Sequence, residues 1–243
     1  MSAPPVIAIC MPAYNEASGI ADFVHDIIRA FADCKIQIIV VDDCSEDDTA
    51  AAAASVGPIV SVLRNATNLG HGPSTVIGLH EALRRGALWI LAVDGDGQVQ
   101  GVDLRRIFDA GTTADLDVVE GVRISRDDPL YRTVASEATR ALVRLRCGRA
   151  PADANTPVRC YRAAILEQLL AGLPAGVLTP NLFLSAAARS GAIRLREEPI
   201  GWYQRRGDDP TGVTWQSRSR IVPGHRFLGF CLKATAQWVA HRS

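Results

Sequence analysis

The chain has 243 residues, of which 48% are hydrophobic, and its 26 lysines and arginines balance 26 aspartates and glutamates, so the formal net charge is zero. That length suits one large α/β domain, and the charge balance gives no reason to expect a nucleic acid partner. Six cysteines are scattered without a C-x-x-C pair, which is typical of a reduced protein and not of a disulfide or zinc framework. Since no signal peptide or membrane-spanning apolar segment is recognised either, we expect a cytoplasmic protein.

Apolar runs alternate with helical periodicities in the first half of the chain. The pattern predicts strands at Val6–Met11, Ile36–Val41, Ile59–Leu63, Leu88–Val93 and Asp117–Val122. It predicts helices at Ala17–Ala32, in an alanine-rich segment that ends at Ser55 and has its N-cap at Ser45, and after Gly72 to about Arg85. This order predicts a single α/β domain of Rossmann type, with a mostly parallel sheet covered by helices on both faces.

The pattern changes after about residue 125. Helices, a loop at Gly148–Thr156 and shorter apolar segments follow, and the glycine-containing segment Gly207–Gly212 is predicted to be a mobile loop. We therefore divide the domain at 1–215 into a nucleotide-binding half at 1–125 and an acceptor half at 126–215. An amphipathic helical tail without a membrane span is predicted at 216–243.

One polar pentapeptide, Asp94-Gly95-Asp96-Gly97-Gln98, follows directly on a predicted buried strand. Open α/β sheets bind ligands at the carboxyl ends of their strands. Two carboxylates and an amide oxygen are hard ligands suited to Mg²⁺ or Mn²⁺ carrying a diphosphate, and the glycines allow a tight turn. A polar turn that merely ends a strand is the alternative interpretation of the pentapeptide alone.

Four segments together resemble family 2 glycosyltransferases, which have the GT-A fold. They are AICMPAYNE at Ala8–Glu16, VVDDCS at Val40–Ser45, NLGHG at Asn68–Gly72 and DGDGQ at Asp94–Gln98. Later segments are similar to the branch that contains dolichol-phosphate mannose synthases and bacterial polyprenyl-phosphate sugar transferases. Those segments are Gly121–Arg123, Tyr131-Arg132 with Ser136, and Asp153–Arg162.

The resemblance implies a role for individual residues. The nucleotide-sugar pocket is expected to include Pro12, Ala13, Tyr14, Glu16, Asp43 and Asp94, with Asp43 accepting a base N–H. The metal ligands are expected to be Asp94, Asp96 and Gln98. Phosphate contacts are assigned to Arg123, Arg132 and Ser136, and closure over the donor to Arg205 and Arg206. The catalytic set is Asp96, Arg132 and Asp153, where Asp153 orients the sugar or acts as a base, whereas His71 and His80 are interpreted as structural.

The resemblance implies an inverting, metal-dependent enzyme that moves a hexose from a nucleotide sugar, either GDP-mannose or a UDP-hexose, to a polyprenyl monophosphate. A lipid monophosphate is already ionised near neutral pH, so no general base is obligatory. Two alternatives stay open, namely a family 2 enzyme acting on a sugar or small alcohol, and a nucleotide-binding module without catalysis. A dehydrogenase is disfavoured, because no G-x-G-x-x-G follows the first strand.

Membrane contact, if it occurs, is expected to be peripheral or through an anchoring partner, since the paired membrane helices of many bacterial members are missing. Leu130–Cys147 predicts a basic amphipathic helix, and His225–His241 mixes apolar residues with Arg226 and Lys233. Either helix could equally be part of a globular core with one solvated face.

Overall fold

The computed structural model describes residues 7–124, 130–207 and 224–241, with the backbone alone for Leu130, Arg132 and Arg226. The strands are β1 (Ile7–Ala13), β2 (Ile36–Asp42), β3 (Val60–Arg64), β4 (Trp89–Ala92), β5 (Val118–Arg123), β6 (Arg159–Arg162) and β7 (Leu195–Ile200). The helices are α1 (Ile20–Ala30), α2 (Thr49–Ser55), α3 (His71–Arg84), α4 (Gly101–Thr113), α5 (Leu130–Cys147), α6 (Ala163–Ala171), α7 (Pro180–Ser190) and α8 (His225–Ala240).

All the described strands form one seven-stranded sheet in the order β3-β2-β1-β4-β6-β5-β7. The pairings are parallel except for those of β6, which runs antiparallel to both β4 and β5. The predicted α/β class with a mostly parallel sheet is confirmed.

Helices cover both faces of this sheet, as predicted. On one face α1 and α4 bury Phe23, Ile27 and Phe108 against the strands. On the other face α3, α6 and α7 bury residues such as Leu79 and Leu166. Because each helix has an apolar side at helical spacing, burial of that side against the sheet accounts for the layered architecture.

Two strands of the second half, β6 and β7, were not resolved in the sequence pattern. β6 begins and ends with arginine, and β7 has the sequence LREEPI, so neither is an apolar run. The arginine that opens β6, Arg159, is nevertheless fully buried, because it is paired with Glu120 of β5. Paired charges thus replaced the hydrophobic signal on which strand prediction depends.

The predicted N-cap of α2 was wrong. The helix begins at Thr49, and the Ser45 hydroxyl instead accepts a hydrogen bond from the backbone N–H of Asn15 at 3.0 Å. Ser45 therefore joins the loop after β2 to the loop after β1. The predicted loop at Gly148–Thr156 is a loop, whereas most of Gly207–Gly212 lies outside the described residues.

Candidate active site

The loops that carry the predicted site residues meet at one edge of the sheet. Parallel strands β1, β2 and β4 end there, since Ala13 pairs with Asp42 and Cys10 with Ala92. Because β6 is antiparallel, its first residue Arg159 lies beside Ala92, so the loop before β6 reaches the same edge. This is the edge at which open α/β sheets bind ligands.

The turn after β4 lies directly on the end of β1. Gly95 donates its backbone N–H to the carbonyl of Pro12 at 3.1 Å, and a Cβ at Gly95 would approach that oxygen to 2.8 Å. Gly97 has a φ of +66°, which disfavours residues with side chains. The two glycines allow the carboxylates of Asp94 and Asp96 to be presented at the sheet edge.

The environments of these two carboxylates differ. Burial raises the pKa of Asp94, but His71 and the more distant Arg123 outweigh burial and hold it below its ordinary value. Burial, and next the negative charge of Asp94, raise the pKa of Asp96 to about 6. Two acids that repel each other in a partly buried turn would be stabilised by a cation.

The donor set fits a divalent ion that shares its coordination with a substrate. Among the described residues no group of three or more histidine, cysteine or acidic side chains converges to hold a metal. Mg²⁺ is typically held by one or two carboxylates together with substrate phosphates. Gln98 donates its side-chain Nε2 to the Tyr203 carbonyl at 3.1 Å, so its amide oxygen Oε1 is not engaged by that bond, and its backbone N–H donates to Asp96 Oδ1 at 3.2 Å.

Asp43 lies beneath the turn that leads into α3. Its buried carboxylate accepts hydrogen bonds from the Asn65 side chain at 2.8 Å and from the backbone N–H groups of Leu69 and Gly70 at 2.8 and 2.7 Å. These contacts hold the turn before α3 in place. The predicted hydrogen bond from a nucleotide base would be accepted by the same carboxylate in addition to them. The base-binding role stays a prediction.

The two arginines after β7 point to different places. Arg205 is ion-paired with the buried Glu16, whose pKa is raised by burial to about 7 although Arg205 opposes that shift. Arg206 is ion-paired with Asp26 of α1 and donates to the Gly97 carbonyl at 3.3 Å. Arg205 therefore lies at the predicted pocket, whereas Arg206 fastens the turn after β4 to α1.

Arg123 and Asp153 form a two-point ion pair. The guanidinium Nε and Nη2 donate to the two carboxylate oxygens at 2.6 and 2.9 Å, and the guanidinium also lies over the Trp202 ring at 4.8 Å. Both side chains are almost fully buried. In this arrangement Asp153 orients Arg123. Its predicted role, either orienting the sugar or acting as a base, stays a prediction.

Residues 8–169 match the profile of Glycosyl transferase family 2. The chain belongs to this family.

Two curated relatives of this family 2 chain carry the same name. The undecaprenyl-phosphate 4-deoxy-4-formamido-L-arabinose transferase of Sodalis glossinidius is 32% identical over 171 residues, which are 68% of this chain and 51% of that protein. The protein of the same name from Klebsiella pneumoniae subsp. pneumoniae is 30% identical over 215 residues, 85% of this chain and 63% of that protein. The chain thus spans between half and two thirds of the length of these relatives, whose name confirms the resemblance to polyprenyl-phosphate sugar transferases.

Solved structures confirm the GT-A fold. Glucosyl-3-phosphoglycerate synthase from Mycobacterium tuberculosis, in complex with Mn²⁺, UDP and glucosyl-3-phosphoglycerate, superposes with a TM-score of 0.66 at 17% identity, covering 98% of this chain and 80% of that one. Mannosyl-3-phosphoglycerate synthase from Rubrobacter xylanophilus gives 0.68 at 16% identity, covering 97% and 73%. At these identities the likeness is one of fold.

The family 2 chain has buried charges that the sequence pattern did not single out. Arg159 donates to the carbonyls of Thr156 and Ala154 at 2.7 and 3.3 Å, and it pairs with Glu120 at 3.3 Å. Glu120 also pairs with Arg189 of α7 at 2.7 Å. Because both carbonyls belong to the loop that holds Asp153, this buried network fixes that loop at the edge of the sheet. The sequence signal for Arg159 was its place in the segment Asp153–Arg162, one of those that carry the family resemblance.

Of the remaining predicted residues, Pro12, Ala13 and Tyr14 lie at the same edge. Pro12 and Ala13 end β1 as buried residues, and the partly exposed Tyr14 follows them. Ser136 lies on α5 and is partly buried. Arg132 lies on the same helix, one turn before Ser136, and its side chain lies outside the described residues.

Proposed function

We propose that this chain transfers a hexose from a nucleotide sugar, GDP-mannose or a UDP-hexose, to a polyprenyl monophosphate with inversion at the anomeric carbon. The observation that carries the proposal is the position of Asp94 and Asp96 at the sheet edge that Arg123 and Arg205 also reach. Carboxylates there suit a metal-bound diphosphate, and arginines suit phosphate groups. The names of the undecaprenyl-phosphate relatives support the acceptor class.

The proposed reaction needs positioning and charge neutralisation more than proton transfer. An oxygen of the acceptor phosphate forms a bond to the anomeric carbon while the bond from that carbon to the nucleoside diphosphate breaks. The phosphate is ionised before it attacks, so the reaction requires no general base. The ion pair between Asp153 and Arg123 is therefore compatible with the proposed reaction. When bound by Asp94, Asp96 and Gln98, Mg²⁺ or Mn²⁺ supplies charge neutralisation for the leaving diphosphate.

The donor pocket in this proposal is built on the loops after β1 and β2. Tyr14 provides a ring on which the base can stack, and Glu16 holds Arg205 near the carboxylates. The pKa of Asp96 is raised overall, but the positive charge of Arg205 opposes that rise. The Arg205 guanidinium is therefore near the carboxylates at which we propose that the diphosphate binds. Pro12 and Ala13 form the floor, and Asp43 supports the pocket from the turn before α3.

Asp96→Asn tests the donor site. The change keeps the shape of the side chain but deletes the charge, so folding should persist while the metal-dependent part of nucleotide binding is lost. The measurement is calorimetric titration of UDP and GDP with and without Mn²⁺. Asp109→Asn, on the exposed side of α4, is the matched control and should bind like the parent. Unchanged metal-dependent affinity in Asp96→Asn would refute the metal assignment.

The acceptor class is tested by transfer of labelled sugar from UDP-hexoses and GDP-mannose to a short-chain polyprenyl phosphate. The unphosphorylated alcohol and free sugars serve as parallel acceptors. Product from the lipid phosphate alone supports the proposal. Product from the alcohol or a free sugar alone supports the family 2 enzyme with a small acceptor, and nucleotide binding without any product supports the binding module.

A further inference from the structure

Five large apolar side chains of α5 and α8 are exposed at the surface. Their exposed fractions are 61% for Val134 and 83% for Leu145 on α5, and 49% for Leu228, 73% for Leu232 and 57% for Val239 on α8. We call these five residues the apolar strip. Residues eleven positions apart lie three helical turns apart on one face, so Val134 aligns with Leu145, and Leu228 with Val239.

The two helices lie side by side and run in the same direction. Near their beginnings, the rings of Tyr131 and Phe227 pack at 5.3 Å between centroids. Near their ends, the Arg146 guanidinium lies 3.9 Å from the centroid of the Trp238 ring and donates to the Trp238 carbonyl at 2.6 Å. Because the first turns of the two helices contact each other and their last turns do as well, the helices run parallel.

This arrangement brings both parts of the apolar strip to the same side of the pair. Tyr131 and Arg146 mark the side of α5 that contacts α8. Measured around the helix axis at about 100° per residue, the α5 members of the strip lie about 80° from that side. Phe227 and Trp238 mark the side of α8 that contacts α5. The α8 members of the strip lie about 110° around the axis from that side, in the opposite rotational sense. For parallel neighbours, opposite rotations from the shared contact lead to one common outer face. The five members of the strip therefore face the same side of the helix pair.

Basic residues border the strip on its two outer sides. Arg144 precedes Leu145 and Lys233 follows Leu232, and both are exposed. At helical spacing each lies beyond the strip on the side away from the neighbouring helix. Together the two helices contain six of the chain's 26 lysines and arginines but one of its 26 aspartates and glutamates, Glu137. Arg140 is paired with Glu137 and Arg146 lies against Trp238, so the positive charge shown beside the strip is that of the exposed Arg144 and Lys233.

We propose that the apolar strip docks on the surface of an anionic lipid bilayer, with Arg144 and Lys233 at the level of the head groups. An apolar face bordered by basic residues is the arrangement of helices that lie in a membrane interface. No helix among the described residues is long and apolar enough to cross a membrane. The proposed contact is made by the exposed side chains of the strip. The inference rests on the proposed function, because a polyprenyl acceptor lies in a bilayer and Ser136 lies on the same helix as two of the five strip residues.

Flotation of the whole chain with vesicles tests this inference. Vesicles of phosphatidylcholine with about a third phosphatidylglycerol should bind the parent at least tenfold more tightly than phosphatidylcholine alone. Leu145→Asp and Leu232→Asp should each weaken that binding at least tenfold, because they place a charge in the strip. Val102→Asp, at a site on α4 that is 61% exposed, is the matched control and should bind like the parent.

Arg144→Glu combined with Lys233→Glu is a second, purely surface variant, and it should remove the preference for anionic vesicles. Binding of all variants at the parental level would overturn the proposal. So would loss of a dimer on Leu232→Asp without any change in vesicle binding, which would assign the strip to a second copy of the chain. Transfer to a short-chain acceptor without vesicles should be unchanged in Leu145→Asp, so failure of the docking surface is separable from failure of the proposed function.

Discussion

The ring Nε2 of His71 lies 2.8 Å from the carboxylate Oδ1 of Asp94 and joins the first residue of α3 to the turn after β4. Burial lowers the pKa of His71, but the Asp94 carboxylate outweighs burial and raises the pKa above its ordinary value. The histidine that sequence analysis interpreted as structural is therefore in contact with a predicted metal ligand. We infer that it fixes the orientation of the Asp94 side chain.

His71→Ala should weaken metal-dependent nucleotide binding about two- to tenfold, because a half-exposed hydrogen bond contributes roughly 0.5–1.5 kcal/mol. His71→Gln supplies a comparable N–H donor and should restore most of the affinity. Titration of a nucleoside diphosphate over a range of Mn²⁺ concentrations measures the effect. Tighter binding in His71→Ala would show instead that the histidine competes with the metal for Asp94.

Asp43 has a double role in the candidate site, since its contacts hold the turn before α3 and the family resemblance assigns it to the base. Asp43→Ala leaves three hydrogen-bond donors without their acceptor. We expect the free energy of unfolding to fall by about 2–4 kcal/mol. Affinity for the preferred nucleotide and discrimination among bases should also fall.

Urea unfolding and competition among nucleoside diphosphates measure these two effects of Asp43→Ala. Asn65→Ala is the control, because it removes one donor of the turn and keeps the carboxylate. Discrimination that is lost in Asp43→Ala but kept in Asn65→Ala supports a direct contact with the base. Equal weakening of all nucleotides would make Asp43 purely structural.

Much of the first half of this molecule could be predicted from sequence, because its signals are local. β1, β2 and β4 are apolar runs, and the acids that follow them stand next to them in the chain. An apolar strand followed closely by Asp94 and Asp96 already indicates the edge of the sheet at which a ligand binds. Sequence was sufficient here because neighbouring residues in the chain remain neighbours at the site.

The second half depends on pairs that are distant in the chain. Arg159 is buried because Glu120, 39 residues away, compensates its charge, and nothing in the β6 segment itself indicates this. In the first half, too, one contact was not local, since the contact of His71 with Asp94 spans 23 residues and joins α3 to the turn after β4. The sequence listed Arg123 as a phosphate ligand and Asp153 as an acid in separate segments, and their mutual pairing became evident only from the fold.

Glu81 on α3 should make stability depend on pH. Arg84 first, and then Arg85, hold its pKa at about 2, against an ordinary value near 4.3. A depressed pKa in the folded state stabilises the fold above about pH 4.3, and this contribution is lost as the pH falls toward 2. Glu81→Gln should therefore lower the free energy of unfolding by about 1 kcal/mol at pH 7, and the difference should shrink below pH 4.3.

Urea unfolding at pH 7, 5 and 3.5 tests the Glu81 prediction. Glu167→Gln, at an exposed position on α6, is the matched control and should stay within about 0.5 kcal/mol of the parent at each pH. A difference between Glu81→Gln and the parent that is independent of pH would contradict the ion-pair explanation.

Arg132 provides the sharpest test of the acceptor, because it lies on α5 one helical turn from Ser136 and belongs to the predicted phosphate contacts. Arg132→Ala should reduce transfer to a short-chain polyprenyl phosphate roughly ten- to hundredfold, since one charged phosphate contact contributes about 1.5–3 kcal/mol. Thermal melting should change little. Arg144→Ala removes an exposed arginine from the same helix and should leave transfer in the absence of vesicles unchanged. If the two variants lose transfer equally, the effect comes from the general charge of α5, and Arg132 has no specific role at the acceptor phosphate.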